Sequence, residues 1–143
     1  MNKLNKNSSE VWSGCMNFRE FGLILFVEEY EKCIRFYRDS LQLPVRNIKE
    51  TLVAFDLPNG YLMVEQGGIG SVHEKQREQN PTVLRFDVDS LTTEVEKLEE
   101  NGVVFIHKSL KFDWGTIAVL NDPDGNRIEI GEINTSSGSY IPK

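Results

Sequence analysis

Glu129 sits in "NDPDGNRIE" (121–129), where a turn of Asp, Pro, Asp and Gly runs into an alternating strand. The strand sets this carboxylate between Ile128 and Ile130, so it projects to the opposite face from both. An acid there can be a metal ligand, a general base, or one half of an ion pair. Arg85, in "TVLRFDV" (82–88), has the same parity: Leu84, Phe86 and Val88 share one face, and Val83, Arg85 and Asp87 share the other. A charge turned inward needs a partner, because unpaired burial costs several kcal/mol. That partner is either Glu129 or an anionic ligand. If Arg85 and apolar walls tune its pKa, Glu129 is the catalytic candidate, as a general base.

Around these two stand further candidates. In "FGLILFV" (21–27), Leu23, Leu25 and Val27 belong to one face and Gly22, Ile24 and Phe26 to the other. Met63 and Glu65, two residues apart in "YLMVEQ", share one face. A wall of Ile24, Phe26, Met63 and Val83 with Arg85, Glu65 and Glu129 has the apolar character, with few polar groups, of a small-molecule site. "HKSLKFDWGTI" (107–117) reads as a connector between strands, and its Phe112 and Trp114 can form a lid, stack on a ligand ring, plug the core or make a dimer contact. His107 ends the preceding strand. His73 lies in "GGIGSVHEKQREQN", which lacks the strand-to-helix setting of a phosphate loop and reads as a flexible connector. No Ser/His/Asp or Cys/His nucleophile pattern stands out.

The elements that position these residues repeat. The run 21–27 is a strand, and "EEYEKCIRFYRDSL" follows with Tyr30, Cys33, Ile34, Tyr37 and Leu41 at helical spacing, halted by Pro44. "VRNIKE", "TLVAFDL" and "YLMVEQ" are strands, the last two joined by "PNG". The order then recurs: strand 82–88, a helix capped by Ser90 with the stripe Leu91, Val95 and Leu98 and a stop at "NG" (101–102), then "VVFIH", "TIAVLN" and "NRIEIGE". The fold class is α+β: two βαβββ modules whose sheets curve around a cavity. The expected division is an extension over 1–18, one domain over 19–133 (modules 19–67 and 81–133, linker 68–80) and a tail over 134–143.

"FVEEYEKCIRFYRDSLQLPV", "FDVDSL" and "DPDGNRIEIGE" together resemble the glyoxalase/bleomycin-resistance/extradiol-dioxygenase group, the vicinal oxygen chelate superfamily, over about residues 20–133. The resemblance implies paired βαβββ modules and a homodimer. It also implies up to four metal ligands, His or Gln opening each module's first strand and Glu on each last strand. Those positions fall on Gly22, Val83, Met63 and Glu129, so only Glu129 is a ligand type. No cofactor is therefore expected. The alternative is a divalent metal (Ni, Zn or Mg), with Glu65, two residues beyond Met63, as a second carboxylate beside Glu129. The expected function is a metal-free binder of a small molecule, like the bleomycin-resistance branch. The alternative is a lyase or isomerase of the lactoylglutathione lyase type using Glu129.

Composition narrows the partners. Of 143 residues, 39% are hydrophobic and 27% charged, ordinary for one globular domain. A formal charge of −6 disfavours nucleic acid and suits a cationic ligand. No apolar run approaches the roughly 18 residues of a membrane span. Cys15 and Cys33 lack metal-pair spacing, and "MNKLNKNSSEV" before "WSGC" has no apolar signal core, so the cytoplasm is the expected location. Met16 is a candidate natural start.

Overall fold

The computed structural model describes residues 14–134. The extension and tail expected at 1–18 and 134–143 lie outside the described residues, apart from 14–18 and Asn134. The element order is β1 (Phe21–Val27), α1 (Tyr30–Arg35) with a π-helical turn (Phe36–Ser40), β2 (Val45–Lys49), β3 (Leu52–Leu57) and β4 (Gly60–Gln66). Then follow β5 (Leu84–Asp87), α2 (Leu91–Glu100), β6 (His107–Phe112), β7 (Gly115–Asn121) and β8 (Arg127–Ile133). Two four-stranded sheets result, ordered β1-β4-β3-β2 and β5-β8-β7-β6. In each, the first strand runs parallel to the fourth and the rest pair antiparallel. The chain is thus an α+β protein of two like modules.

Alternation explains the core. Val27, Val53, Phe55, Leu62 and Val64 from the first sheet, and Ala118, Leu120, Ile128 and Ile130 from the second, join Cys33, Ile34, Tyr37, Leu91, Val95 and Leu98 of the helical segments in one buried cluster. Each sheet therefore has a helix-covered face and an open face. Half-exposed Ile24 and Phe26 stand on the first open face. α2 has its Ser90 cap, which accepts from the Thr93 N–H at 3.3 Å, and Gly102 turns the chain away at φ +91°. α1 ends earlier than Pro44 implies: Gln42 adopts φ +59°, and the Leu43 N–H reaches back to the Tyr37 carbonyl.

Three expectations change. The strand expected over 82–88 is shortened to 84–87, because the Asn80 side chain accepts from the Thr82 N–H and Pro81 has no N–H to donate, so Val83 precedes the strand. "VVFIH" is not a strand. Val103 folds into the core behind α2, its N–H bonded to the Leu98 carbonyl, while Val104 is exposed. The strand is instead "HKSLKF", so His107 begins β6 rather than ending a strand. The expected connector over 107–117 is a hairpin with Phe112 opposite Gly115 and Asp113–Trp114 as its turn. Finally, "GGIG" is fitted rather than loose. A Cβ on Gly68 would collide with the Phe26 carbonyl, and one on Gly70 would lie 2.7 Å from Asp124 Oδ1.

The "DPDG" turn fastens the two modules together by hydrogen bonds. Asp124, fully buried, accepts from the backbone N–H groups of Glu28 (2.7 Å) and Glu29 (2.9 Å), tying the residues that lead into α1 to the other half of the chain. Asp122 accepts from the N–H groups of Asp124 and Asn126, the Asn126 amide and the Tyr37 hydroxyl, the last at 2.6 Å. Burial raises the Asp122 carboxyl above its ordinary value although these donors pull it down, and burial also pushes up the Tyr37 phenol. No helix among the described residues is long and apolar enough to cross a membrane.

Candidate functional site

Arg85 and Glu129 are neighbours across the parallel β5–β8 ladder, so their side chains emerge together on the open face of the second sheet. They pair directly: Glu129 Oε1 accepts from Arg85 Nε at 3.0 Å and Nη2 at 2.8 Å. Glu129 Oε2 accepts from Arg127 Nε at 2.9 Å. Arg127, two residues along the same strand, also reaches Glu74 of the linker at 3.3 Å, and Glu74 binds Arg77. The result is a ladder of alternating charge from linker to sheet. The Glu129 side chain is 15% exposed. Burial alone would raise its carboxyl, but the hydrogen bonds and charges of Arg85 and Arg127 outweigh that and hold it below the ordinary carboxylate value. As a general base, Glu129 is therefore weak, and both its oxygens are engaged.

The Arg85 guanidinium also lies over the Trp114 ring, 5.1 Å from its centre. Trp114 stacks on Phe112 with ring centres 5.3 Å apart and planes 3° from parallel. Arginine, indole and phenyl thus form a layered plate, held by the two-residue turn at Asp113–Trp114. Phe112 remains 49% exposed. Asp87 edges the plate with a 3.5 Å contact to Arg85. Gly131 leaves room beneath: a Cβ there would lie 2.9 Å from Asp87 Oδ1 and 3.2 Å from Arg85 Nη1.

The first sheet carries the other predicted residues. Ile24 pairs with Met63 and Phe26 with Glu65 across β1–β4, and Asp56, opposite Tyr61, is a second acid on the same face. Glu65 has no ion pair among the described residues. At the other end of β4, the Tyr61 ring fills the space over Gly22, where a Cβ would collide with it. Arg46 lies 5.1 Å from the centre of that ring and is held by Glu20 and Asp56 at 2.8 and 2.6 Å. The candidate residues therefore divide into two groups. Arg85, Glu129, Phe112 and Trp114 come together on the second sheet, and Phe26, Met63 and Glu65 on the first. No described hydrogen bond, ion pair or ring contact joins the groups.

The donors do not fit a divalent metal. At the four family positions, Gly22 is roofed by Tyr61, Val83 and Met63 offer no hard donor, and Glu129 is committed to two arginines. His107 shares the Glu129 face but stands two strands away, roughly 10 Å at ordinary strand spacing. Among the described residues, no three His, Cys, Asp or Glu side chains converge.

Arg127 falls on the Glu129 face by strand parity, and its spacing of two from Glu129 is the signal the sequence offers for its part in the pairing. Glu74 and Tyr61 were missed. Glu74 reaches the sheet only through the fold of the linker, whereas the pairing of Gly22 with Tyr61 follows from strand register.

The family model described as a glyoxalase-like domain matches residues 21–134. The chain is 29% identical over 117 residues to the uncharacterised protein YraH of Bacillus subtilis strain 168, covering 74% of this chain and 91% of the relative. Among solved structures it is similar to a glyoxalase/bleomycin resistance protein/dioxygenase from Nocardioides. The TM-score there is 0.69 at 13% identity, over 99% of this chain and 98% of that one. It is also similar to TnmS3, an antibiotic binding protein from Streptomyces sp. CB03234, with TM-score 0.64 at 16% identity over 83% of this chain and 98% of that one.

Proposed function

The chain belongs to the glyoxalase-like domain family of the vicinal oxygen chelate superfamily, and we propose that it binds a planar, positively charged aromatic molecule on the open face of its second sheet without a metal. The observation that carries this reading is the paired state of Glu129. The one metal-type carboxylate left in the family pattern is held by Arg85 and Arg127, and Arg85 in turn backs the Trp114–Phe112 plate. The plate offers a flat apolar surface, the usual feature of sites for ring-bearing ligands.

Charge selects the ligand's sign. The donors of Arg85 and Arg127 are largely spent on Glu129 and Glu74, which leaves Asp87 with one long contact. Asp87 is also exposed enough to meet a cation. An overall charge of −6 favours the approach of such a ligand. The role is capture, with no bond made or broken. TnmS3, similar in fold, is an antibiotic binding protein, which accords with this reading.

A homodimer is part of the proposal, as the family resemblance implies. Light scattering on the purified protein tests it. Thermal-shift screening of planar aromatic cations against anions of matched size tests the ligand class. Stabilisation by the cations alone supports it, and stabilisation by neither set counts against it. Metal analysis of protein purified without chelator tests the rest: stoichiometric Ni, Zn or Mg lost in Glu129→Gln would establish the lyase-type alternative instead.

A further inference from the structure

Among the described residues β1 pairs only with β4, and its other edge borders a cavity of about 500 Å³ outside the proposed site. The lining includes Ile24, Phe26, Lys75, Gln79, Asn80 and Thr82. The Phe21 N–H bonds to the Asn59 carbonyl and the Val27 carbonyl accepts from the Gly67 N–H, so odd-numbered residues of β1 turn their backbone groups toward β4. Ile24 therefore presents its N–H and C=O to the cavity, and no described protein group pairs with them. Unpaired strand edges of this kind accept extended amides.

The opposite wall is rich in donors. Lys75 is partly buried, and no carboxylate among the described residues lies within ion-pair distance of its ammonium. Gln79 Oε1 accepts from the Gln76 N–H, which leaves its amide N–H groups to donate. Asn80 spends its oxygen on the Thr82 N–H and one amide hydrogen on Asn126. A partly buried lysine without a counter-ion calls for an anion. Ile24 and Phe26 add an apolar side.

We infer that this cavity is a second ligand site, which takes a small amide-bearing carboxylate of the N-acyl amino acid class, extended along the free edge of β1. The carboxylate meets the Lys75 ammonium, the amide N–H and C=O meet Ile24, and an apolar side chain lies toward Ile24 and Phe26. The ligand's charge is opposite to that proposed for the Trp114 plate, and no lining residue belongs to the plate, so the two sites stand or fall separately.

The test is an amide-resolved NMR titration of the full chain with N-acetyl-L-leucine, using N-acetyl-L-leucinamide as the uncharged control. The expected result is a saturable shift of the Ile24 amide and of residues 75–82, with the uncharged control at least about tenfold weaker. Lys75→Met should weaken the acid by a similar factor, Lys75→Arg should retain it, and Trp114→Ala should leave it unchanged. Lys75→Met removes a side chain with no described hydrogen bond or ion pair, and unchanged dispersion of the remaining amides shows that the variant is folded. The inference is overturned if the Ile24 amide does not shift saturably, if acid and amide bind equally, or if Lys75→Met binds as wild type does.

Discussion

Replacing Glu129 by Gln tests the physical centre of the site. The wild-type carboxylate accepts three charged hydrogen bonds, two from Arg85 and one from Arg127. The amide keeps one accepting oxygen and turns an NH₂ toward the other guanidinium. Stranding a fully buried charge costs about 3–5 kcal/mol. Here the loss is smaller, because Arg85 and Arg127 are 27% and 25% exposed and keep Asp87, Trp114 and Glu74 as partners. The expected destabilisation is about 2 kcal/mol, or a melting point lower by roughly 5–10 °C for a domain of this size. Urea and thermal unfolding followed by circular dichroism measure it. The pH dependence has a definite sign. The folded carboxyl lies below its ordinary value of 4.5, so its contribution is complete above that value and is lost as the pH falls through the lowered one. The gap between wild type and variant should therefore be full at neutral pH and close in acid. A double-mutant cycle with Arg85→Met should show coupling of about 1 kcal/mol or more. A variant within about 0.5 kcal/mol of wild type, or an additive cycle, refutes the reasoning.

The same physics makes further predictions. Gly22→Ala should cost about 1–3 kcal/mol by driving a methyl into the Tyr61 ring, and Gly22→Ala/Tyr61→Ala should recover part of that loss in chemical denaturation. Tyr37→Phe should cost about 1–2 kcal/mol, because it removes a buried donor from Asp122 at the fastening between modules; equilibrium unfolding reads it. Trp114→Ala should lower stability by under about 1 kcal/mol while abolishing binding of planar cations, since the indole's described contacts are Phe112 and Arg85 on an open face.

Much of this architecture was legible because strand alternation is a strict code. Leu84 and Phe86 had to oppose Arg85, and Ile128 and Ile130 had to oppose Glu129; the same parity set Ile24 and Phe26 apart from Leu23 and Leu25. The code failed where apolar residues serve a helix end. "VVFIH" looks like a strand, yet Val103 closes the C-terminus of α2 and the two-residue turn at Asp113–Trp114 fixes β6 further along. That shift carried Phe112 and Trp114 from a loop onto a hairpin, where they stack. Long-range partners leave no local trace. Asp124 holding the Glu29 N–H across 95 residues, and Glu74 reaching Arg127, depend on how the linker packs around the "DPDG" turn. The acids of that turn read as turn formers, and they are also the fastening between the modules.

The most direct measurement of metal-free binding is a calorimetric titration of chelator-treated protein with proflavine, a planar aromatic cation, repeated after adding Ni²⁺, Zn²⁺ or Mg²⁺. Saturable binding is predicted, unchanged by any of the three metals and absent in Trp114→Ala. Binding that appears only once a metal is restored, or that survives Trp114→Ala undiminished, would contradict the account.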